Sequence, residues 1–100
     1  MSGTPLPDLI LYGRPDCGMC DEARELLAGL LHERSSAGLP TPPLRYIDIE
    51  SDAALERAFF ASIPVVEFGG RRLETVTSAV KLRRLLADVM DHAPASATPP

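Results

Sequence analysis

The sequence predicts an α/β domain with the element order β-α-β-α-β-β-α, in which a mixed four-stranded sheet is sandwiched by three helices. Short apolar runs typical of strands alternate with leucine stripes at helical spacing. A Gly-Gly pair joins two later strands as a hairpin, and the only two cysteines, Cys17 and Cys20, lie where the first strand meets the first helix. A parallel βαβ half followed by an antiparallel hairpin and a covering helix accounts for these features.

The first strand and helix occupy the region around the cysteines. Residues 9–12 (LILY) form a continuous apolar run closed by Gly13 and Pro15, as expected of a central strand buried on both faces. From Cys20 onward, apolar residues recur at helical spacing, and Arg34 at the end complements the helix dipole. The apolar stripe consists of Ala23, Leu26, Leu27, Leu30 and Leu31.

The second strand and a short second helix follow. Residues 44–49 (LRYIDI) alternate in polarity and include β-preferring residues, which predicts a strand. Leu55 and Phe59 are four residues apart, as on one face of a helix, and this helix must end before Pro64.

The last third of the chain predicts a hairpin and a helix. Residues 65–68 and 71–76 are the hairpin strands, and Gly69-Gly70 supplies the positive φ angles of a tight primed turn. Thr77 or Ser78 is expected to cap the final helix. Its apolar face comprises Leu82, Leu85, Leu86 and Val89.

Length and composition indicate one domain at residues 8–91. The chain has 100 residues, enough to bury a core without disulfide or metal cross-links. Residues 1–7 and 92–100 are rich in small residues and proline without periodicity, so we predict a flexible N-terminal and a flexible C-terminal tail.

Charge and hydropathy limit the partners. The net charge is −4, so there is no basic surface typical of nucleic-acid binding. No apolar run approaches the roughly 18 residues of a membrane-spanning helix, and the N-terminus lacks the features of a signal peptide. We therefore expect a cytoplasmic protein that binds neither nucleic acid nor membrane. In that compartment, two close cysteines are more often catalytic or metal-binding than structural.

The position of the cysteines favours redox chemistry. Disulfide exchange needs a thiolate that attacks and a second thiol that resolves the mixed disulfide. Cys17 lies at the predicted helix start, where free backbone amides and the positive end of the dipole stabilise a thiolate. Cys20 lies one turn further and is expected to be the resolving thiol. Arg14 favours ionisation of Cys17, whereas the nearby acidic residues Asp16, Asp21 and Glu22 oppose it.

Three other interpretations of the pair remain open. Zinc usually requires four ligands, and the remaining candidates, His32 and His92, form neither a second CxxC nor a His-x3-5-His motif. Two inert cysteines packed as small apolar residues are also consistent with the sequence. Metal carriage through the CxxC is a further alternative, although copper carriers with this motif follow a different element order, β-α-β-β-α-β.

The combined motifs resemble the thioredoxin fold in its minimal, glutaredoxin-like form. The matching stretches are LILYGRPDCGMCDEARELL, YIDIESD and IPVVEFGG, and the resemblance extends over residues 9–90. It implies that the Ile63-Pro64 bond is cis, that Pro64 packs against the Cys17 sulfur, and that proline excludes metal from the pair. It also implies that the backbone amide and carbonyl of Ile63 bind an extended substrate.

The chain departs from the family patterns in three places. Glutaredoxins usually have Gly-Gly-x-Asp near the last helix to hold glutathione; Thr77 and Ser78 stand in that region here as candidate hydrogen-bond donors. Thioredoxins usually carry a buried acid where this chain has Leu11, so the proton acceptor for Cys20 must be another group or water. Gly18 and Met19 separate the cysteines without the proline that both families place there.

The sequence therefore predicts a monomeric thiol-disulfide oxidoreductase of glutaredoxin-like type. Cys17 attacks, Cys20 resolves, and Ile63 and Pro64 orient a disulfide-bearing protein or glutathione. Arg14 and Tyr12 are expected to border the site, although a tyrosine ending a buried strand is more often a core residue. No metal or organic cofactor is expected beyond glutathione as a co-substrate. A non-catalytic thioredoxin-fold module is the remaining alternative.

Overall fold

The computed structural model describes residues 6–91, which form a four-stranded sheet and three α-helices. The strands are β1 (Leu9–Gly13), β2 (Leu44–Asp48), β3 (Val65–Phe68) and β4 (Arg71–Leu73). The helices are α1 (Gly18–Ser36), α2 (Ala53–Phe59) and α3 (Ala79–Leu86). A 3-10 turn, Ile49–Ser51, precedes α2, and a wider π turn, Ala87–Asp91, continues α3. The predicted element order is confirmed. Most of the predicted tails, residues 1–5 and 92–100, lies outside the described residues.

The sheet has the strand order β2-β1-β3-β4 and places the first strand inside it. β1 runs parallel to β2 and antiparallel to β3, and β4 pairs antiparallel with β3 through the hairpin. A central strand is covered on both faces, which explains the continuous apolar run in β1. Gly13, the last residue of β1, pairs with Asp48, so the cysteines follow the carboxyl end of the central strand.

Each α-helix begins at a side chain that accepts a hydrogen bond from a free backbone amide. Cys17 caps α1, Asp52 caps α2, and Ser78, one of the two predicted candidates, caps α3. None of the helices in residues 6–91 combines the length and the apolar character needed to cross a lipid bilayer.

The second hairpin strand is shorter than predicted. β4 ends at Leu73 instead of continuing to Val76. Thr75 has a positive φ of 52°, outside the extended region, and its amide donates to the Ser62 carbonyl at 2.7 Å. The chain therefore leaves the sheet to bind the loop before β3, which the apolar pattern does not indicate.

Other element boundaries shift by a few residues. α1 begins at Gly18, directly after Cys17, which caps it at the predicted helix start. β2 ends one residue early, because the Asp48 carboxylate accepts from the Glu50 amide at 2.9 Å and starts the 3-10 turn. Val89 lies in the π turn after α3, but it still packs against the core, as its spacing predicts.

Two apolar clusters hold the layers together. The large cluster packs α1 and α3 against one face of the sheet, and the small cluster packs α2 and the cysteine region against the other face and its end. The buried members of the large cluster are Leu9, Leu11, Ala23, Leu27, Leu30, Val66, Phe68, Val76, Leu82, Leu85 and Leu86. Those of the small cluster are Tyr12, Cys20, Ile49, Phe59, Ile63 and Val65.

Candidate active site

Cys17 lies at the N-terminus of α1, as predicted. Its sulfur accepts a hydrogen bond from the Cys20 amide at 3.1 Å, and its carbonyl accepts from the Asp21 amide at 3.0 Å. The preceding residue, Asp16, has a positive φ of 59° and turns the chain from β1 into the helix. A sulfur that receives a backbone N–H at the positive end of a helix is stabilised as a thiolate.

The two cysteines differ in exposure. Cys17 is half-buried, whereas Cys20 has no solvent-exposed surface. They form a disulfide, and their Cα atoms are 5.2 Å apart. The outer sulfur is therefore the one that an external disulfide can reach, and the inner sulfur is placed to close the bond onto it.

The charged residues around the pair face solvent. Arg14, Asp16, Asp21 and Glu22 are all exposed, so the acidic groups are not buried against the Cys17 sulfur. Met19, between the cysteines, is 45% exposed and presents an apolar side chain beside the pair. The surface next to Cys17 thus combines one apolar side chain with charges of both signs.

The Ile63-Pro64 bond is cis, as the resemblance implies, and both residues are buried. Ile63 belongs to the small cluster, against which Cys17 packs. The Ile63 amide, which the resemblance implies binds an extended substrate, donates to the Phe59 carbonyl at 3.2 Å in this structure. This bond extends the last turn of α2, and it leaves the Ile63 carbonyl as the group that can pair with an extended peptide.

A loop that the sequence analysis missed supports the cis-proline segment. The Thr75 hydroxyl also donates to the Ser62 carbonyl, at 3.2 Å, and the Val76 amide donates to the Pro64 carbonyl at 3.1 Å. The loop after β4 therefore holds the segment on both sides of Ile63. The positive φ of Thr75 is the local feature of this loop, and a threonine in a segment of alternating polarity does not reveal that conformation.

The predicted glutathione donors lie at the start of α3. The Ser78 hydroxyl accepts from the Lys81 amide at 3.2 Å, and Thr77 precedes it; both residues are partly buried. A hydroxyl that accepts a capping bond still has its own proton to donate. Ser78 therefore has a structural role that is compatible with the predicted one.

Tyr12 is a core residue of the small cluster. Its ring centroid lies 4.8 Å from that of Phe59, and its hydroxyl donates to a Glu67 carboxylate oxygen at 3.1 Å. Burial raises the pKa of Tyr12, and the hydrogen bond to Glu67 raises it further. The structural interpretation of this tyrosine is thus the one that its contacts favour.

Gly13 and Tyr46 are site residues that the sequence analysis missed. A Cβ atom added to Gly13 would lie 2.9 Å from the Tyr46 hydroxyl oxygen and 3.1 Å from the Cys20 sulfur. The missing side chain thus lets the hydroxyl and the buried sulfur approach the same point. The glycine that closes the first apolar run, four residues before Cys17, is the sequence signal for this close approach.

A metal site needs several side-chain ligands clustered at one point. Within residues 6–91, no group of three or more His, Cys, Asp or Glu side chains is arranged to hold a metal ion. His92, one of the two histidines weighed as a zinc ligand, lies outside the described residues.

The family follows from comparison with known proteins. Residues 8–90 match the model of the glutaredoxin-like domain (DUF836). The chain belongs to this family. This glutaredoxin-like domain is also similar to a solved structure, the structural genomics target protein XcR50 from X. campestris, with 36% identity and a TM-score of 0.64 over 80% of this chain and 96% of that one. No curated protein matches the sequence.

More distant structures show the fold. The germline-specific thioredoxin Deadhead from Drosophila melanogaster is 21% identical, with a TM-score of 0.58 over 84% of this chain and 81% of that one. A mutant of the thioredoxin-like protein BC3987 is 24% identical, with a TM-score of 0.56 over 78% of this chain and 97% of that one. The predicted thioredoxin-like fold of glutaredoxin type is thereby confirmed, and the Cys17–Cys20 disulfide supports a redox-type function.

Proposed function

We propose that this glutaredoxin-like domain is a thiol-disulfide oxidoreductase. The observation that carries the proposal is the asymmetric pair at the start of α1: a half-buried Cys17, whose sulfur receives a backbone N–H, bonded to a fully buried Cys20. An exposed, amide-stabilised sulfur with a buried partner one turn away is what the two steps of disulfide exchange require.

The reaction proceeds in two exchanges that balance in atoms and electrons. The Cys17 thiolate attacks one sulfur of the substrate disulfide, the substrate S–S bond breaks, and the departing sulfur leaves as a thiolate with the bonding electron pair. The Cys20 thiolate then attacks Cys17 Sγ and expels the second substrate sulfur. The substrate gains two electrons as two thiols, and the enzyme loses two as the Cys17–Cys20 disulfide. The reverse sequence oxidises a dithiol.

The substrates we propose are disulfide-bearing proteins or glutathione. The Ile63 carbonyl, which precedes the cis-proline, would pair with the backbone of an extended peptide. Arg14 and Met19 border Cys17 at the surface, and Thr77 and Ser78 are the candidate donors to glutathione. We further propose that the protein acts as a monomer in the cytoplasm, with no cofactor other than thiols.

Turnover of a small disulfide tests the proposal. Hydroxyethyl disulfide, glutathione and glutathione reductase form a coupled assay that follows NADPH consumption. We expect turnover by the wild type and none above the uncatalysed rate by Cys17→Ser. Cys20→Ser is the matched control, because it retains the attacking thiol and must still form a mixed disulfide with glutathione, detected by mass. If the wild-type protein turns over neither hydroxyethyl disulfide nor a protein disulfide, the proposal is contradicted.

The reduction potential of the pair defines the direction of transfer. Equilibration with glutathione buffers gives the potential from the oxidised fraction. A value near the roughly −270 mV of thioredoxin would identify a reductant, and one near the roughly −120 mV of DsbA an oxidant. A stoichiometric copper or zinc content in protein purified under reducing conditions would instead favour the metal-carrier alternative.

A further inference from the structure

Resolution by Cys20 requires ionisation of a thiol with no solvent exposure. Burial raises the pKa of a thiol, because a thiolate loses its hydration, and a hydrogen-bond donor is needed to offset that loss. The Cys20 amide donates to the Cys17 sulfur, and within residues 6–91 no hydrogen bond reaches the Cys20 sulfur itself. Leu11 stands at the position where the resemblance implies a buried acid in thioredoxins, so β1 supplies no carboxyl group here.

Tyr46 brings a hydroxyl to this sulfur. Its oxygen and Cys20 Sγ lie 2.9 Å and 3.1 Å from the point that a Gly13 Cβ would occupy. Both atoms therefore lie within about one van der Waals contact of the same point, and the hydroxyl and the sulfur border the same small space. Within residues 6–91, no hydrogen bond engages the Tyr46 hydroxyl while the disulfide is closed. When the S–S bond opens, Cys20 Sγ becomes a free acceptor that can rotate about its Cα–Cβ bond towards this hydroxyl.

The surroundings of Tyr46 keep its hydroxyl protonated. Burial raises its pKa above 10.0, and the carboxylates of Asp48 in β2 and Asp21 in α1 raise it further. The Arg24 guanidinium acts in the opposite direction, but burial is the largest effect. The Arg24 guanidinium lies 4.6 Å from the ring centroid and fixes the ring by a cation–π contact. At neutral pH, Tyr46 is therefore a hydrogen-bond donor and not a base.

We propose that the Tyr46 hydroxyl donates a hydrogen bond to the Cys20 thiolate and thereby promotes resolution of the mixed disulfide. This inference rests on the proposed exchange function. Gly13 is the positioning residue that makes the contact possible. The proton lost by Cys20 passes to solvent, and Tyr46 keeps its own.

Reaction of the reduced protein with 5,5′-dithiobis(2-nitrobenzoate), an aromatic disulfide, separates the two steps. In the first phase, the Cys17 thiolate attacks the reagent, releases one nitrothiobenzoate and leaves the other bound as a mixed disulfide. In the second phase, the Cys20 thiolate attacks Cys17 Sγ and releases the remaining nitrothiobenzoate. Cys20→Ser identifies the phases, because it retains the first and lacks the second.

Tyr46→Phe is the main variant, since it keeps the ring and its contact with Arg24. We expect its second phase to be about tenfold slower at pH 7, with the apparent pKa of that phase about one unit higher, as for the loss of one hydrogen bond to a charged group. The first phase of the same trace is the internal control and should be unchanged. An unchanged second-phase pH profile would overturn the inference.

Gly13→Ala is an independent variant. It retains the hydroxyl but places a methyl group 2.9 Å from its oxygen and 3.1 Å from the sulfur, so the second phase should again slow while the first does not. Should either variant unfold, the Cys20 pKa measured by NMR in Cys17→Ser, with and without the remaining substitution, decides the question; equal values contradict the inference. A wild-type first phase no faster than that of a free cysteine would instead refute the proposed function.

Discussion

The two apolar clusters differ in construction and in what they hold. The large cluster is built from the 19-residue α1 and from α3, and its buried members include no residue of the proposed site, although Tyr46 packs against it. The small cluster relies on the seven-residue α2 and on the loop before β3, and it contains Cys20 and Ile63. A short helix covers only part of this face, and beyond it Ile10, Glu67 and Arg72 line an open cleft. The comparison indicates that one face of the sheet supplies stability and that the other supports the chemistry.

The first way to test this division is to create a cavity in the large cluster. Phe68 is almost fully buried, so Phe68→Ala should lower the free energy of unfolding by about 3–5 kcal/mol. Among molecules that remain folded, the rate at which Cys17 reacts with an alkylating agent should not change. Urea unfolding and alkylation under native conditions measure the two quantities. Phe60→Ala is the matched control: at 66% exposure, its loss should change stability by less than about 0.5 kcal/mol.

In the small cluster, we expect a core mutation to cost less stability than Phe68→Ala does, but to change the reactivity of the site. Ile63→Ala removes packing beside Cys17 and should cost about 2 kcal/mol, at the low end for a buried isoleucine, because this cluster is small. It should also alter turnover of hydroxyethyl disulfide several-fold in the folded protein, whereas Ile63→Val should have little effect. Unaltered turnover in a destabilised Ile63→Ala protein would show that the division between the faces is wrong.

The C-terminal end of α1 contains a polar contact, which we group with the large cluster because α1 and α3 build that cluster. Arg34 donates to both carboxylate oxygens of Asp91, at 2.9 and 3.1 Å, and to the Pro40 carbonyl at 3.1 Å. The Arg34 side chain is 10% exposed and that of Asp91 40%, so Asp91→Asn should cost about 1–2 kcal/mol. Thiol reactivity should be retained.

The control for this ion pair is a more exposed ion pair between α1 and α3. Glu33 and Arg83 are 3.1 Å apart with side chains 62% and 57% exposed, so Glu33→Gln should change the free energy of unfolding by less than about 0.5 kcal/mol. Equal effects of Asp91→Asn and Glu33→Gln would show that burial of Arg34 adds nothing to stability.

The smallest expected effect is a loss of stability at high pH. The pKa values of Tyr12 and Tyr46 are raised above 10.0, in both cases first by burial. The folded chain therefore holds these protons more tightly than the unfolded chain does. The contribution of these two tyrosines to stability does not change below about pH 10, and it is lost as the pH rises through their folded-state pKa values. Urea midpoints at pH 8.5 and 11 should show this decline, and Tyr12→Phe should reduce it; an equal decline in the variant would contradict the assignment.

Much of the fold was predictable because it depends on local patterns. The apolar run of β1, the leucine stripe of α1 and the Gly-Gly turn each report burial or backbone geometry directly, and the order of the elements follows from them. The end of β4 was not predictable, because it depends on the hydrogen bonds of Thr75 to a loop thirteen residues earlier in the chain. A pattern within one segment does not record such a bond.

The site shows the same distinction. The position of Cys17 at a helix start follows from the strand–CxxC–helix order, and the cis bond at Pro64 was inferred only through the resemblance. The engagement of the Ile63 amide and the approach of Tyr46 to Cys20 were missed. The first depends on how far the last turn of α2 continues, since Phe59 is only four residues before Ile63. The second depends on which side chains of distant segments meet in space, and Tyr46 in an alternating strand is indistinguishable from an ordinary core tyrosine.

The central claim is that the start of α1 ionises Cys17 near neutral pH. The most direct measurement is the pH dependence of Cys17 alkylation by iodoacetamide in the Cys20→Ser variant, in which Cys17 is the only thiol. The account predicts an apparent pKa of about 6–7, roughly two units below the 8.5 of a free thiol. An apparent pKa of about 8.5 or higher would contradict it.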